Sequence, residues 1–408
     1  MKIALVSPYD YAYPGGVTTH ITQLHRRYVE AGHQVRIIAP SSLPQAQFDN
    51  PDLIVCGTPT SVPASGSVAR ITISLRLSSQ VKGILERERF DVVHLHEPLM
   101  PMLPLTMLRF SNAVNVGTFH AHRDRSLAYF YARRLLRRWF RRLDGKIAVS
   151  RPAMEFAGRY FPGYYNIIPN GIDLDHFNPS AAPLPAFDDG KFNILFVGRF
   201  EKRKGLRYLV RAFAHIKPQL PGTRLIIVGP DGGLRAGYER SIQRAGLQDV
   251  VFAGFVSYEE LPRYYRSAHV FCSPATGQES QGIVLLEALA CGTPVVASNI
   301  EGFASVITEG EEGLLTPPKN DRKLAEALIQ LAHDPRRRAA MSRRALVTAE
   351  SYSWSRVARQ ILSYYERLLL SRPDVTGDLE PAPSAEPGRW RRLLTSLPGR
   401  RVRARQAR

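Results

Sequence analysis

The chain has 408 residues, of which 44% are hydrophobic, and carries a formal net charge of +19 at pH 7. This length allows two ordinary domains with separate cores, and no apolar run approaches the ~18 residues of a transmembrane helix. The three scattered cysteines, Cys56, Cys272 and Cys291, are expected to be small core residues in a reducing cytosol rather than disulfide partners.

The first half of the chain alternates strand-like and helix-like segments. KIALVS, the helical GVTTHITQLHRRYVEAGHQV and RIIAP predict a strand, a helix and a strand, which is the opening of a parallel α/β layer and not a signal peptide. Further buried strands that end in polar residues are predicted at FDVVHLHEP, NVGTFHAH and KIAVS.

A second series of strands begins at FNILFVGRF and continues through TRLIIVG, VVFAGFV, HVFCSP and TPVVAS. Two successive series predict an α/β protein with two doubly wound, Rossmann-like domains. We expect domains over residues 1–176 and 177–350, with a linker in NPSAAPLPAFDDGK. We further expect a final helix over residues 351–371 that returns to the first domain, and a disordered basic tail over residues 372–408.

Polar residues follow several of these strands, where open α/β sheets bind their ligands. Gly15 and Gly16 open the first helix, and glycine there lets backbone amides approach an anion at the positive helix terminus. In GRFEKRKG, Arg199 and Lys204 offer a guanidinium and an ammonium that suit a diphosphate. A solvated basic loop is equally compatible with the sequence.

The segment ESQGIVLLE places two carboxylates eight residues apart, with Glu279 in a loop and Glu287 on the helix that follows. This spacing predicts that the pair grips two parts of one ligand rather than one metal ion. Carboxylates accept hydrogen bonds from vicinal sugar hydroxyls. The alternative is a loop acid and an unrelated acid on a helix surface.

The combined motifs resemble those of glycosyltransferase family 4, the retaining enzymes of the GT-B fold, in which two Rossmann-like domains face a cleft. They occur in the family's order, from residue 1 to the region of residue 370: PGGV, HEP, TFHAH, PNGID, GRFEKRKG, IIVG, ESQGIVLLE and CGTPVVAS. Within the family, SPYDYAYPGGVTTH and HEPLMP are most similar to phosphatidylinositol mannosyltransferases.

The resemblance implies a retaining glycosyltransferase that moves a sugar, with mannose favoured, from a nucleotide sugar to a lipid acceptor at a membrane surface. GDP-mannose is the favoured donor and a UDP-sugar is the other possibility. The resemblance implies no tightly bound cofactor, and no divalent metal held by a protein site.

The resemblance also implies roles for single residues. His120 would lie beside the transferred sugar, while Arg199 and Lys204 would neutralise the leaving diphosphate with help from the Gly16 amide. Glu279 would hold the donor sugar, and Glu287 would accept from the ribose hydroxyls. Val256 would meet the base through its backbone. Other implied residues of the nucleotide-sugar site are Gly282, Ile283 and Val284, and those of the acceptor site are Tyr9, Thr18 and Arg125.

Some residues depart from the family's pattern. Gln281 stands where the family commonly has Phe. Thr18, Leu99 and Ala121 stand where the inositol-specific enzymes would have Gln, Asn and Thr, so a lipid phosphate agrees better with the sequence than inositol itself. The DLD of residues 173–175 is similar to the metal-binding motif of another glycosyltransferase class, but it lies in the domain-junction motif PNGIDLDHF, and a metal site is not expected there.

Most of the net charge is concentrated in two segments. Residues 123–142 contain eight Arg and one Asp, and residues 387–408 contain eight Arg and no acid, which together give +15 of the +19. On a helical wheel of RRLLRRWFRRL, apolar and basic residues separate completely. The apolar face comprises Leu135, Leu136, Trp139, Phe140 and Leu143, and the basic face comprises Arg133, Arg134, Arg137, Arg138, Arg141 and Arg142.

The apolar face of this helix is expected to pack on the sheet, and the Arg face to contact an anionic lipid surface. The protein would then be cytoplasmic and peripherally associated with the inner face of the plasma membrane. Two other functions stay open. One is a cytosolic family 4 enzyme acting on a soluble glycan or small molecule. The other, a nucleic-acid-binding protein, is supported by charge alone, because the sequence shows no recognised nucleic-acid module; a nucleic-acid partner is therefore not expected.

Overall fold

A computed structural model of the protein describes residues 1–13, 15–64, 67–72 and 77–372, without the side chains of residues 61–72. Among the described residues, no helix combines the length and the apolar character needed to cross a membrane. The expected basic tail, residues 372–408, lies outside the described part of the chain except for residue 372.

The first half of the chain forms one sheet with its flanking helices and a separate hairpin. Its elements are β1 (Lys2–Val6), α1 (Gly16–Glu30), β2 (Gln34–Ala39), β3 (Leu53–Val55), β4 (Pro59–Ala64), β5 (Ser67–Thr72), α2 (Leu77–Glu88), β6 (Val92–His96), α3 (Leu103–Phe110), β7 (Val114–Phe119), α4 (Leu127–Phe140), β8 (Gly145–Ala148), α5 (Arg151–Tyr160) and β9 (Asn166–Ile167). Seven parallel strands take the order β3-β2-β1-β6-β7-β8-β9, while β4 and β5 pair antiparallel.

The second half repeats the pattern with six parallel strands. Its elements are β10 (Phe192–Val197), α6 (Leu206–Ile216), β11 (Thr223–Val228), α7 (Arg235–Arg244), β12 (Val250–Gly254), α8 (Leu261–Ser267), β13 (Val270–Ser273), α9 (Ile283–Ala290), β14 (Val295–Ser298), α10 (Glu301–Ala304), β15 (Gly313–Thr316), α11 (Asp321–His333), α12 (Pro335–Ser351) and α13 (Trp354–Leu370). The strand order is β12-β11-β10-β13-β14-β15. Two doubly wound parallel sheets confirm the expected α/β class.

The strands are nearly continuous apolar runs because helices cover both faces of each sheet. Ile3 and Leu5 of β1 belong to one apolar cluster, and Ala4 and Val6 belong to the cluster on the opposite face. The second sheet is covered in the same way by two further clusters. Cys56, Cys272 and Cys291 are buried free thiols within these layers, as their composition predicts.

The last helix packs on the first sheet. Trp354, Val357, Ile361 and Tyr365 of α13 share an apolar cluster with Ile3 and other residues of the first half. The spacing of these four side chains is that of one helix face. The chain therefore passes twice between the regions of the two sheets, once before β10 and once after α12.

The strand order reverses direction between β1 and β6 in the first sheet and between β10 and β13 in the second. At such points the loops that follow neighbouring strands diverge to opposite faces and leave a crevice for a ligand. The segments after these four strands carry most of the residues that the sequence nominates, and the hairpin of β4 and β5 is an addition that the sequence patterns did not predict.

Candidate active site

The start of α1 meets the start of α9 across the two halves of the molecule. A Cβ added at Gly16 would lie 3.8 Å from the Cδ1 atom of Ile283, and one added at Gly15 would meet nothing within 4 Å. The first amides of α1 have no partner within their own helix, so this end of the helix is suited to an anion. Gly16 and Ile283, both nominated by the sequence, are brought together.

The loop after β10 and the loop after β13 form a charged group. Glu279 Oε1 lies 2.7 Å from Lys204 Nζ and 2.5 Å from Arg203 Nη1. Arg199 is more open, with its side chain 60% exposed and 3.7 Å from Glu201. The structure thus pairs Lys204 with Glu279 and leaves Arg199 available to an incoming anion.

Arg203 was missed by the sequence reasoning. Its guanidinium bridges Glu279 and Glu201, whose Oε2 lies 2.8 Å from the Arg203 Nε atom. The sequence offers only the run KRK as a signal, and any of its three cations could have been the partner of Glu279. The tight turn at Gly205 selects the geometry, because Gly205 has a φ of +74° and a Cβ there would lie 1.9 Å from the Pro274 carbonyl oxygen.

Glu287 is not an acid on a helix surface. Its Oε2 accepts a hydrogen bond of 2.7 Å from the hydroxyl of Tyr265, which is completely buried. Burial raises the pKa of Glu287 to about 7, against the opposing effects of the Tyr265 hydroxyl and Lys204. Near neutral pH the carboxyl is therefore divided between its protonated form and the carboxylate that could accept from sugar hydroxyls.

The remaining nominated donor residues lie around this group. Gly282 is buried with a φ of +84°, where a Cβ would collide with the Phe303 ring. Val284, at the start of α9, and Val256 are both half-buried and pack against the same apolar cluster.

Four histidines gather at the carboxyl edge of the first sheet. His96 Nδ1 lies 3.0 Å from His120 Nε2, and the His20 ring stands edge-on to both of them. His94 contacts Thr118 Oγ1 at 2.6 Å and the Tyr365 hydroxyl. Burial lowers the pKa of all four, to about 4 for His20 and about 3 for His94, so the cluster is neutral at physiological pH.

Glu97 holds the strand end that carries His120. Its Oε1 accepts 2.8 Å hydrogen bonds from the backbone amides of His120 and Ala121. Glu97 itself adopts a φ of +50°, which turns its side chain back toward these amides. The carboxylate therefore orders the backbone beside the cluster.

Candidate ligand atoms of His20, His96 and His120 lie within 4.8 Å of one another. Such spacing suits a transition metal, but His96 and His120 face each other through a hydrogen bond and are nearly parallel, with ring planes 29° apart. One of the two facing nitrogens must carry the proton of this hydrogen bond, and a protonated ring nitrogen does not ligate a metal. The acids of the DLD motif are engaged by α1, since Asp173 accepts from Gln23 and Asp175 pairs with Arg27 at 3.1 Å.

The residues expected at the acceptor end differ in their exposure. Arg125 is exposed, whereas Arg123 is half-buried and its charge opposes the burial-induced rise in the pKa of both Tyr9 and Glu97. Arg123 therefore lies close enough to Tyr9 and Glu97 for its charge to act on both. Thr18 is half-buried and Leu99 is buried.

Helix α4 carries the basic segment, and its apolar face is only partly buried. Leu136, Phe140 and Leu143 are buried, but Leu135 is 51% exposed, which contradicts the expectation that it packs on the sheet. The exposed side also carries Leu127, Phe130 and Tyr131 in the first turns, which the shorter helical wheel omitted. We refer to Leu127, Phe130, Tyr131 and Leu135 as the apolar patch.

The six arginines do not all share one role. Arg142 donates from Nε to the Leu108 carbonyl at 2.6 Å and from Nη2 to the Ser111 carbonyl at 3.1 Å, so it caps the end of α3. Arg133 stacks on the Phe130 ring at 4.5 Å and is half-buried. The other four arginines, Arg134, Arg137, Arg138 and Arg141, are exposed on the helix and at its end, whereas the exposed Arg142 is held by its two bonds to α3.

Known protein families match both halves of the chain. Glycosyltransferase Family 4 matches residues 14–176, and Glycosyl transferases group 1 matches residues 183–347. The chain is 36% identical over 375 residues to the phosphatidyl-myo-inositol mannosyltransferase of Mycobacterium leprae, covering 91% of this chain and 98% of the relative. It is 30% identical over 378 residues to the D-inositol 3-phosphate glycosyltransferase of Pseudarthrobacter chlorophenolicus, covering 86% and 90%.

Solved structures share the fold. The sucrose-phosphate synthase of Thermosynechococcus elongatus superposes with a TM-score of 0.71 at 23% identity, covering 91% of this chain and 100% of that chain. Anabaena HepE in complex with UDP superposes with a TM-score of 0.71 at 20% identity, covering 90% and 100%. Both likenesses concern the arrangement of the two sheets and their helices.

Proposed function

Because the chain belongs to glycosyltransferase family 4, we propose that it transfers a hexose, with mannose favoured, from a nucleotide sugar to a phosphate-bearing lipid, with retention at the anomeric carbon. The observation that carries this proposal is the charged group of Lys204, Arg203 and Glu279. It lies at the carboxyl end of the second sheet, in the half that also presents Ile283 to the start of α1.

Cations bind the diphosphate of the donor, and carboxylates accept from its sugar and ribose hydroxyls. Arg199 and Lys204 bind the diphosphate, and the amide of Gly16 adds a donor from the other half. As Lys204 turns to the phosphates, Arg203 keeps Glu279 in place and Glu279 accepts from the sugar hydroxyls. Glu287 accepts from the ribose, while Tyr265 fixes its orientation.

Positioning and charge stabilisation supply the catalysis. As the bond to the sugar breaks, negative charge develops on the leaving diphosphate, where fixed cations are worth more than they are in water. His120 is neutral and lies beside the transferred sugar, so it offers no competing positive charge there. The leaving phosphate helps to deprotonate the acceptor on the same face of the sugar.

A divalent metal has no assigned role in this scheme. Asp173 and Asp175 are bound to side chains of α1, and the phosphate charge is met by Arg199 and Lys204. The donor is GDP-mannose in preference to a UDP-sugar.

The acceptor is a phosphorylated lipid headgroup. Arg123 beside Tyr9 and Glu97 supplies a cation for its phosphate. Inositol is a poorer match, because Thr18, Leu99 and Ala121 provide fewer polar atoms for its hydroxyls than Gln, Asn and Thr would. A soluble inositol phosphate is the second candidate, supported by the relative from Pseudarthrobacter chlorophenolicus.

The lipid reaches the site along α4. Tyr129 on the inner side of this helix is close enough to Glu97 and Tyr9 for their charges to raise its pKa further after burial. The outer side presents the apolar patch and the exposed arginines, a combination typical of interfacial helices on anionic membranes. The protein thus binds peripherally at the inner face of the plasma membrane, beside its acceptor.

The test is an assay of the purified protein with a panel of GDP- and UDP-sugars and with acceptors in vesicles. We expect transfer from GDP-mannose to a phosphate-bearing lipid, and NMR of the product should show the anomeric configuration of the donor. Transfer to free inositol phosphate but not to lipid would favour the soluble acceptor. Absence of transfer from every nucleotide sugar, or inversion at the anomeric carbon, would overturn the proposal.

A further inference from the structure

Gln281 joins the two halves of the molecule through a single partner. The residue is 2% exposed. Its Oε1 accepts from the Asn170 backbone N–H at 2.8 Å and from the Asn170 Nδ2 at 2.9 Å, and its Nε2 donates to the Asn170 carbonyl at 3.2 Å. One carboxamide therefore satisfies three polar groups of one buried residue.

Asn170 carries the connection onward to the histidine cluster. It is 5% exposed, and its Oδ1 accepts from His20 Nδ1 at 2.9 Å. The His20 ring lies edge-on to His120, with the ring centroids 4.9 Å apart. A continuous chain of contacts thus runs from Gln281 through Asn170 and His20 to His120.

The other end of this chain is the donor loop, residues 277–282. Gln281 stands two positions after Glu279 and one before Gly282, which precedes the first residue of α9. The backbone of Gly302 packs closely against this loop, since a Cβ added at Gly302 would lie 2.2 Å from the Glu279 carbonyl oxygen. A shift of Gln281 would therefore move Glu279.

An apolar side chain at this position would offer neither a donor nor an acceptor. Asn170 would then lose the partners of its N–H and its carbonyl, and buried polar groups without partners are unfavourable.

We propose that Gln281 is a positioning residue that fixes the donor loop relative to His20 and His120, so that donor sugar and acceptor meet in register. This inference rests on the proposed function of the same site. Because Gln281 acts through Asn170 rather than through the nucleotide, its loss lowers kcat and leaves the affinity for the nucleoside diphosphate nearly unchanged.

Gln278 provides a matched control. It lies on the same donor loop and also contacts the first half, with its Nε2 donating to Asp124 Oδ2 at 3.1 Å, but this contact is exposed. An exposed hydrogen bond exchanges readily with water and contributes little. Q278A should therefore retain the parent's activity.

The experiment compares Q281A, Q281E and Q278A by kinetics, calorimetry with GDP and UDP, and NMR of the histidine rings. For Q281A we expect kcat to fall at least ~10-fold, as for a lost positioning contact, with Kd for the diphosphate within about threefold of the parent. The His20 and His120 ring signals should shift in Q281A but not in Q278A.

Q281E tests the hydrogen bonds themselves. Its side chain has the same shape, and only the protonated carboxyl donates to the Asn170 carbonyl while still accepting. The kcat of Q281E relative to that of the parent, at saturating donor, should therefore rise as pH falls. If Q281A does not fold, this variant and its pH profile carry the test.

Several results would overturn the inference: a kcat within twofold of the parent in Q281A, an equal loss in Q278A, or a large rise in the Kd for the diphosphate. Unchanged histidine signals in Q281A would also overturn it. The NMR comparison needs no turnover, so it separates failure of this coupling from failure of the proposed transferase function, which the parent's activity tests.

Discussion

The two sheets present opposite kinds of chemistry at their carboxyl edges. The first carries a neutral cluster of His20, His94, His96 and His120, whose pKa values burial lowers. The second carries full charges, with Lys204 and Glu279 paired at 2.7 Å. Burial without a counter-ion keeps the four histidines neutral, whereas the second edge presents an ion pair.

This difference matches the two sides of a glycosyl transfer. The leaving diphosphate carries the charge and needs cations, and the sugar and acceptor need an ordered surface that does not bind the phosphate instead. A cation among the four histidines would draw the diphosphate to the wrong side. The contrast between the edges therefore supports the proposal that the second edge holds the donor phosphates.

Removing the charged group should have the largest effect. We expect K204A and E279A each to lower kcat/KM at least ~100-fold, the scale of a lost transition-state contact. The matched control is K202A, since Lys202 is exposed in the same turn. If K204A and E279A keep a turnover near that of the parent in a donor assay, these residues do not belong to the site. The charged group would then not distinguish the second edge from the first.

The outer surface of α4 should give the next largest effect. Replacing the arginines at positions 133, 134, 137, 138 and 141 by Gln, and keeping Arg142 because it caps α3, should weaken binding to anionic vesicles by about 30-fold or more. Parent binding should also weaken with salt, because screening acts over ~8 Å at physiological ionic strength. Liposome flotation measures both effects.

Deletion of residues 387–408 serves as the comparison for α4 and should weaken flotation less. Activity on a water-soluble acceptor should change far less than activity on lipid in either variant. If the five-Arg variant floats as well as the parent does, the exposed side of α4 is a solvated face and the membrane proposal is wrong.

The pKa of Glu287 predicts that nucleotide binding at the second edge depends on pH. Burial raises this pKa to about 7, and only the carboxylate form accepts from both ribose hydroxyls. Nucleotide binding therefore releases a proton and weakens as pH falls. The Kd for GDP-mannose, whose phosphates do not titrate in this range, should rise about tenfold between pH 8 and pH 6. In E287Q, calorimetry should give a weaker but nearly pH-independent affinity; a parent Kd that stays flat would contradict the assignment.

The smallest expected change is in overall dimensions. We expect the two halves to close on the donor, with hinges near residues 177–190 and at α13, as two-domain enzymes commonly do. Small-angle scattering at saturating nucleoside diphosphate should then give a smaller radius of gyration. An unchanged radius would indicate that the edges already face each other as in the complex.

Much of the fold follows from local patterns. Continuous apolar runs such as those of β1 and β10 identify buried parallel strands, and the alternation with helices fixes the α/β class. The nominated residues cluster because parallel strands all end at one edge, so Arg199, Glu279 and Gly16 could be named without coordinates. Arg203 could not, since three neighbouring cations are equivalent in sequence and only the turn at Gly205 chooses among them.

The sequence by itself determined the class of the fold and the position of the basic helix, because both depend on short-range periodicity or on composition. It named the motif residues of the two edges through their position after strands and their resemblance to a family. Tertiary structure decided what burial does to those residues. It neutralised the histidines, raised the pKa of Glu287, assigned Arg142 to the end of α3 and exposed Leu135. It also joined Gln281 to Asn170, two residues 111 positions apart, because the environment of a side chain depends on which distant segments pack around it.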